Sequence, residues 1–422
     1  MSKFRIKGPT ELEGEITVAG NKNAALPILA ATVLTREECV LSNVPEIRDV
    51  KTMLKLLKDL GKNVSKLGKG EYRIEGAIQK SKLDSKYARN IRASILFLSG
   101  LLAKTGEIET PPPGGCVIGR RKVDTHFQVI KHFNGEVDLL ENGNYHAYLS
   151  KASSGELFLD KVSVTGTENA LILAAATEGK TVIYNAACEP HVGDLARFLG
   201  KMGADINGIG TNRLTIHGTN DLGGTDHSIR ADQTEAGTFA IAAACTHGDV
   251  IIHEAIQRDL ISTMRVLEGF NVEYDFLDER TLHVKPSQLI SKTDEVQVGL
   301  WPNFPTDLMS PVIVLATQSE GSTLCHDWMY ESRMFFVDKL NIMGAEIIQA
   351  DPHRVIVNGP TQLKGQHLNS PDIRAGIAII IAALCAEGES IIRRVEIVDR
   401  GYENIESRLN NLGANIVRES EE

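Results

Sequence analysis

Six stretches of the chain, at 24–34, 95–103, 170–176, 238–244, 308–316 and 375–386, are apolar almost all the way round a helical wheel. A helix without a polar face has to be enclosed by protein. The longest, 375–386, is too short to cross a bilayer, so these are core helices rather than membrane spans. Strand-like runs follow them, among them Cys39-Val40-Leu41, Thr181-Val182-Ile183, Val250-Ile251-Ile252 and Ser390-Ile391-Ile392. Amphipathic helices come next, as Val50, Met53, Leu54 and Leu57 show at i, i+3, i+4 and i+7. They end at a glycine: Leu60-Gly61-Lys62-Asn63-Val64, Met202-Gly203-Ala204-Asp205-Ile206, Met343-Gly344-Ala345-Glu346-Ile347 and Leu412-Gly413-Ala414-Asn415-Ile416. Looser copies stand at His132-Phe133-Asn134-Gly135 and Glu268-Gly269-Phe270-Asn271. Glycine suits the left-handed residue that closes a helix.

The predicted unit is strand, buried helix, strand, amphipathic helix, strand, turn, strand. Six copies over 422 residues give a period of about 70, beyond the 20–50 of common solenoids. The expected fold is therefore α/β, with helices inside and sheets outside, in two lobes of three repeats. The spacing puts one lobe at 21–229 and the other at 1–20 plus 230–422, the amino-terminal strand segments 3–6 and 16–18 returning to the second. Ligands are expected in the cleft between them.

With 42% hydrophobic and 24% charged residues, the composition is that of a soluble globular protein. A formal net charge of −10 disfavours nucleic acid and anionic membranes as partners. The start, Met1-Ser2-Lys3-Phe4-Arg5-Ile6-Lys7, has no apolar signal region, so a cytoplasmic location is expected. The six cysteines (39, 116, 188, 245, 325, 385) form no CxxC pair, which argues against a zinc site and a disulfide framework. No metal and no cofactor are expected. Cys245 and Cys385 sit in apolar helical runs and read as small buried hydrophobes.

Cys116 is different. It lies in Pro111-Pro112-Pro113-Gly114-Gly115-Cys116-Val117-Ile118-Gly119-Arg120-Arg121-Lys122-Val123-Asp124-Thr125-His126, a loop too polar and too rich in glycine and proline to be core. A reachable thiol beside cations is the setting of a reactive cysteine.

Each buried helix also starts with polar residues, where free N–H groups and the helix dipole favour anions. Glu168, Asp232 and Glu235 read most simply as helix caps. Asp307 instead follows the rigid Phe304-Pro305-Thr306. Lys22, Arg92 and Arg374 oppose the dipole at their helix starts, which points to ligand binding. Arg333 and Arg400, taken alone, are equally compatible with surface salt bridges.

The joint order of Gly20-Asn21-Lys22-Asn23-Ala24-Ala25-Leu26-Pro27, Arg92-Ala93-Ser94-Ile95, Gly114-Gly115-Cys116-Val117-Ile118-Gly119, Phe304-Pro305-Thr306-Asp307, Glu331-Ser332-Arg333 and Asp399-Arg400-Gly401-Tyr402-Glu403 resembles the enolpyruvyl transferase family, in its UDP-N-acetylglucosamine 1-carboxyvinyltransferase branch. The resemblance runs from Ile6 to about Val417. The family's fold, a two-lobed inside-out α/β barrel, is the one the repeats predict.

The resemblance implies addition–elimination on phosphoenolpyruvate, the step that begins peptidoglycan synthesis, with UDP-N-acetylglucosamine as acceptor. Cys116 matches the general acid and the target of fosfomycin-type epoxides. Asp307 matches the base for the sugar hydroxyl. Lys22, Arg121 and Arg400 match cations around the phosphate, while Arg92, Arg333 and Arg374 match arginines that hold phosphate or carboxylate. Asn23 matches a contact to the nucleotide sugar. Arg121, Lys122, Val123, Asp124 and Thr125, with Lys161, Val162, Ser163 and Val164, match the uridine-diphosphate site, and Met329 a further backbone contact. The family arginine aligns with Arg121 rather than Arg120. A monomer or weak homo-oligomer is expected.

The chain departs from the family at Ile397, where histidine is frequent, and in the proline-rich 111–113 run, which stiffens one end of the Cys116 loop. Three other readings compete: the shikimate-pathway enolpyruvyl transferase, which lacks an equivalent Gly-Gly-Cys loop; a substrate-binding paralogue without turnover, in whose favour only Ile397 speaks; and a nucleic-acid enzyme built on related repeats, which the acidic balance and the lack of a basic-aromatic surface disfavour.

Overall fold

The computed structural model describes residues 2–114 and 122–420. The chain divides into two compact units: unit 1 holds 2–19 and 231–420, unit 2 holds 20–114 and 122–230. Each has its own hydrophobic cluster, running from Phe4 to Ile416 in unit 1 and from Ala24 to Ile229 in unit 2. None of the described helices is long and apolar enough to cross a membrane.

The six apolar stretches are helices at Lys22–Ala31, Phe97–Thr105, Val164–Ala175, Gln233–Cys245, Met309–Gln318 and Ile373–Cys385. In Gln233–Cys245 every residue after the first is buried, as a helix with no polar face requires. Two of the six are entered through a 3-10 turn, Arg92–Leu96 before Phe97–Thr105 and Thr306–Leu308 before Met309–Gln318. These two starts carry Arg92 and Asp307.

Sheets lie against the helices, three per unit, and five of the six share one topology. The strand after the buried helix pairs in parallel with a short strand on one side and antiparallel on the other with one strand of an antiparallel pair, which is a hairpin in four sheets and Ser2–Gly8 with Ile416–Ser420 in the fifth. Gly179–Tyr184, for example, lies between Glu156–Phe158 and Arg213–Gly218, with Asp205–Asn207 at the edge. The sixth sheet, Glu107–Thr110 with Tyr145–Tyr148 and Glu136–Leu139, keeps only a parallel bridge from Lys82 to Glu109 where the others have a strand. Burial alternates along the hairpin strands, as in Glu71–Glu75, so one face packs on the helices.

Two strands pair away from the helix that follows them. Glu13–Thr17 precedes Lys22–Ala31 but pairs with Asp249–His253 in unit 1. Asp226–Ser228 precedes Gln233–Cys245 but pairs with Cys39–Ser42 in unit 2. The chain therefore passes from one unit to the other at 19/20 and again at 230/231. Asp232 N donates to Ala19 O at 2.9 Å within unit 1, and Asn21 N to Arg230 O at 2.7 Å within unit 2. Gly20 is required here: a Cβ would stand 1.8 Å from Asn43 O. The first strand, Ser2–Gly8, lies between Gly388–Arg393 and Ile416–Ser420.

The helix-ending glycines behave as expected in the four strict copies, with positive φ at Gly61, Gly203, Gly344 and Gly413. The looser copies correct the expectation. There the positive φ falls on Asn134 (68°) and Asn271 (59°), not on Gly135 or Gly269. Asparagine tolerates the left-handed region better than other side chains do, and Asn271 Nδ2 is held by Gln288 O at 2.8 Å.

Directly after Gly61, Lys62 is 3% exposed and donates from Nζ to Thr35 O (2.8 Å) and Gly76 O (2.9 Å). Burial pushes its pKa down from 10.5 to about 8. The unfolded chain then holds the extra proton between these values, so the stability due to Lys62 is lost as pH falls through about 8 and is fully present above 10.5. Denaturant unfolding of the wild type should strengthen over that window relative to Lys62→Met. Parallel pH curves for the two proteins would contradict this.

Candidate functional site

Unit 1 gathers the acidic and basic residues singled out at its helix starts. The 3-10 turn Thr306–Leu308 has no side-chain cap. Its Asp307 is shared between two guanidiniums: Oδ1 accepts from Arg333 Nη2 at 3.0 Å and Oδ2 from Arg374 Nη2 at 2.8 Å. Arg333 is 2% exposed, with Nε 3.9 Å from Asp327 Oδ2 and Nη1 3.9 Å from Asp372 Oδ1, and it stacks over the Tyr330 ring.

Arg374 is the second residue of Ile373–Cys385, whose cap Asp372 accepts from Arg374 N and Ala375 N. Burial works against its charge, but Asp307, Tyr402 and Asp232 outweigh that and raise its pKa. It stays a cation. Burial likewise pushes the carboxyls of Asp232 and Asp327 up, offset in part by Arg374 for the first and by the Thr306 hydroxyl and Arg333 for the second.

Asp327 has no exposed side-chain surface. It accepts from Thr306 Oγ1 and from Met329 N (2.9 Å), and so ties the Asp307 turn to the segment that carries Met329 and Arg333. Arg400 closes the 3-10 helix Val395–Arg400 and is half-buried. The preceding Asp399 is held by both amino groups of Arg418, at 2.9 and 2.7 Å. Ile397 packs on the hydrophobic cluster of unit 1.

In unit 2, Lys22 opens its helix with Nζ 2.7 Å from Asp49 Oδ2, and both side chains are largely buried. Asp49 supplies the counter-charge that a cation at a helix N-terminus needs. The neighbouring Asn23 is half-buried. Arg92 reaches Lys122 O with Nη2 at 2.8 Å.

The two segments expected to form the uridine-diphosphate site are brought together. Val123 precedes helix Asp124–His132 and Ser163 caps Val164–Ala175 by accepting from Gly166 N at 3.1 Å. A Cβ on Gly166 would lie 2.6 Å from Thr125 Cγ2, and His126 Nε2 is 2.9 Å from Thr165 Oγ1. Lys122, Asp124 and Lys161 are exposed at these ends, while Val162 and Val164 are half-buried. Cys116, Arg120 and Arg121 lie outside the described residues.

Of the three acids read as caps, Asp232 is one, accepting from Thr234 N and Glu235 N. Glu235 is not: it pairs with Arg408 and accepts from Ala19 N at 2.7 Å, anchoring the first crossing. Glu168 is not either, because Ser163 holds that position. Glu168 is 1% exposed, with Oε1 left without a partner. Burial raises its pKa well above the usual carboxylate range, and nearby Glu189, itself raised by burial, adds to this.

Asp49, Asp327 and Glu189 carried no signal in the sequence. Tyr402 stood inside a quoted motif and turns out to be bonded to Arg374 at 3.0 Å. Among the described residues, no group of three or more His, Cys, Asp or Glu is placed to hold a metal ion.

Because its folded pKa is raised, Glu168 costs stability progressively as pH rises above 4.5. Glu168→Gln should therefore raise the unfolding midpoint at pH 7.5 by about 2–4 °C, the shift that ~1 kcal/mol produces in a unit of this size, and leave it unchanged at pH 4. A gain equal at both pH values would point to packing instead.

The family model of EPSP synthase (3-phosphoshikimate 1-carboxyvinyltransferase) matches residues 6–409. The chain is 44% identical over 427 residues to a UDP-N-acetylglucosamine 1-carboxyvinyltransferase of Treponema denticola, covering 99% of each. It is 44% identical to one of Bradyrhizobium diazoefficiens, over 99% of this chain and 98% of the relative. Among solved structures, the enolpyruvyl transferase NikO from Streptomyces tendae superimposes with a TM-score of 0.89 at 20% identity, over 99% of this chain and 98% of that one. An EPSP synthase from Acinetobacter baumannii does so at 0.77 and 18%, over 100% of both. The shared fold is thus the two-domain inside-out α/β barrel. With the family model spanning nearly all of it and relatives 44% identical along 99% of its length, the chain belongs to the EPSP synthase family of enolpyruvyl transferases.

Proposed function

We propose that the chain transfers the enolpyruvyl group of phosphoenolpyruvate to the 3′-hydroxyl of UDP-N-acetylglucosamine and releases phosphate. The observation that carries this reading is the 44% identity, over nearly the full length, to relatives of that name. It also favours the nucleotide sugar over shikimate 3-phosphate as acceptor. The reading places the reaction in the cytoplasm, at the start of peptidoglycan synthesis.

The chemistry needs an acid, a base and cations. The Cys116 thiol delivers a proton to the enol methylene carbon. The sugar hydroxyl oxygen bonds to the adjacent carbon, and Asp307 takes the hydroxyl proton. The tetrahedral ketal then loses phosphate with its bonding pair, a proton leaves the new methyl group, and the double bond re-forms.

Lys22, Arg121 and Arg400 neutralise the phosphate, and Arg92, Arg333 and Arg374 hold phosphate or carboxylate. Planar guanidiniums suit both groups. Asn23, Lys122, Val123, Asp124, Thr125, Lys161, Val162, Ser163, Val164 and Met329 receive the nucleotide sugar. In support, the Thr125 and Ser163 segments meet in the fold, and Asp307 shares its oxygens between Arg333 and Arg374.

Phosphate release with both substrates tests the reading. Release should require UDP-N-acetylglucosamine, collapse in Cys116→Ser and after fosfomycin treatment, and fall about 10²–10⁴-fold in Asp307→Asn. Release that survives in Cys116→Ser removes that thiol from the mechanism. Release with shikimate 3-phosphate alone assigns the other acceptor. No release with either makes the chain a binding paralogue.

A further inference from the structure

Tyr402 is 1% exposed and belongs to none of the groups assigned above. Its hydroxyl lies between Arg374 Nη1 at 3.0 Å and Thr238 Oγ1 at 2.9 Å. Every proton in this run has one direction. Thr238 Oγ1 is 2.8 Å from Thr234 O, a carbonyl that can only accept, so Thr238 commits its one proton there. The proton between Thr238 and Tyr402 must then come from the phenol. The phenol oxygen is left to accept from Arg374, which can only donate.

The run is Arg374 to Tyr402 to Thr238 to Thr234 O, with one allowed orientation. It ends on Gln233–Cys245, a buried helix that cannot shift without disturbing the core. At its other end, Arg374 Nη2 donates to Asp307 Oδ2 at 2.8 Å. Burial raises the phenol's pKa, so its proton stays in place at neutral pH. The guanidinium is thus gripped at one amino group by a neutral, rigid acceptor, while the other faces Asp307.

We propose that Tyr402 is a positioning residue for enolpyruvyl transfer: its hydroxyl, oriented by Thr238, sets the plane in which Arg374 meets Asp307 and the anionic groups of phosphoenolpyruvate. The inference rests on the reading above that Arg374 contacts phosphoenolpyruvate. It accounts for a tyrosine two residues beyond Arg400: the same short loop supplies one cation and orients another.

The test is steady-state kinetics of the full chain in Tyr402→Phe, Thr238→Val, Thr238→Ser and Arg374→Ala. Tyr402→Phe keeps the ring and removes only the hydroxyl. It should raise KM for phosphoenolpyruvate roughly tenfold, the effect of one hydrogen bond to a charged group, with KM for UDP-N-acetylglucosamine unchanged within about twofold. Thr238→Val leaves the phenol proton without an acceptor and should move the same constant the same way. Thr238→Ser restores the acceptor and should behave as wild type. Adding Tyr402→Phe to Arg374→Ala should raise KM no further.

A wild-type KM for phosphoenolpyruvate in Tyr402→Phe overturns the proposal, and so does an equal rise in both KM values, which marks a general structural role. If Arg374→Ala itself leaves that KM unchanged, the assignment of Arg374 to phosphoenolpyruvate falls instead.

Discussion

Everything in this structure that bears charge near a helix start follows from burying helices on all sides. Such a helix hides its apolar surface well, but its first turn brings N–H groups without intrahelical partners into the interior. Four of the six starts meet this with a side-chain cap: Asn21, Ser163, Asp232 and Asp372. The other two begin as 3-10 turns without one. Polar groups are therefore concentrated at these ends by the demands of folding.

Cations at such ends run against the dipole, and the fold answers each with a specific partner. Lys22 has Asp49, Arg374 has Asp307 and Tyr402, and Arg92 has the Lys122 carbonyl. These contacts fix where each positive charge points. Asp307 is the tightest case. It is counter-ion to two guanidiniums at once, one at each carboxylate oxygen.

The repeat was legible because its period and its all-apolar helices are local properties of the chain, and the six helices stand where the pattern puts them. The helix-ending glycines were legible for the same reason, and the two exceptions arose where asparagine could replace glycine as the left-handed residue. Pairing partners were harder to read. The repeat spacing already assigned segment 16–18 to the second lobe and ended the first at 229, but the pairing of Glu13–Thr17 with Asp249–His253 and of Asp226–Ser228 with Cys39–Ser42 depends on contacts across more than 180 residues, which no window of sequence reports. The site divides likewise. Residues at helix starts announced themselves, whereas Asp49, Asp327 and Glu189 became visible only as neighbours in space. Glu168 misled because a carboxylate in a first turn looks like a cap, until Ser163 is seen to hold that place.

The position of Ser2–Gly8 has a consequence for how the protein is made. Unit 2 lies within 20–230 and has all its strands once Asp226–Ser228 has emerged from the ribosome. Unit 1 is built from segments on both sides of unit 2. Its strand Ser2–Gly8 belongs between Gly388–Arg393 and Ile416–Ser420, so Phe4 and Ile6, both fully buried in the finished protein, have no sheet to join until those strands have been made. At about 5–20 residues per second, that wait is roughly 20–80 s. During translation this chain carries a completed second unit and an unfinished first one whose opening strand is still exposed.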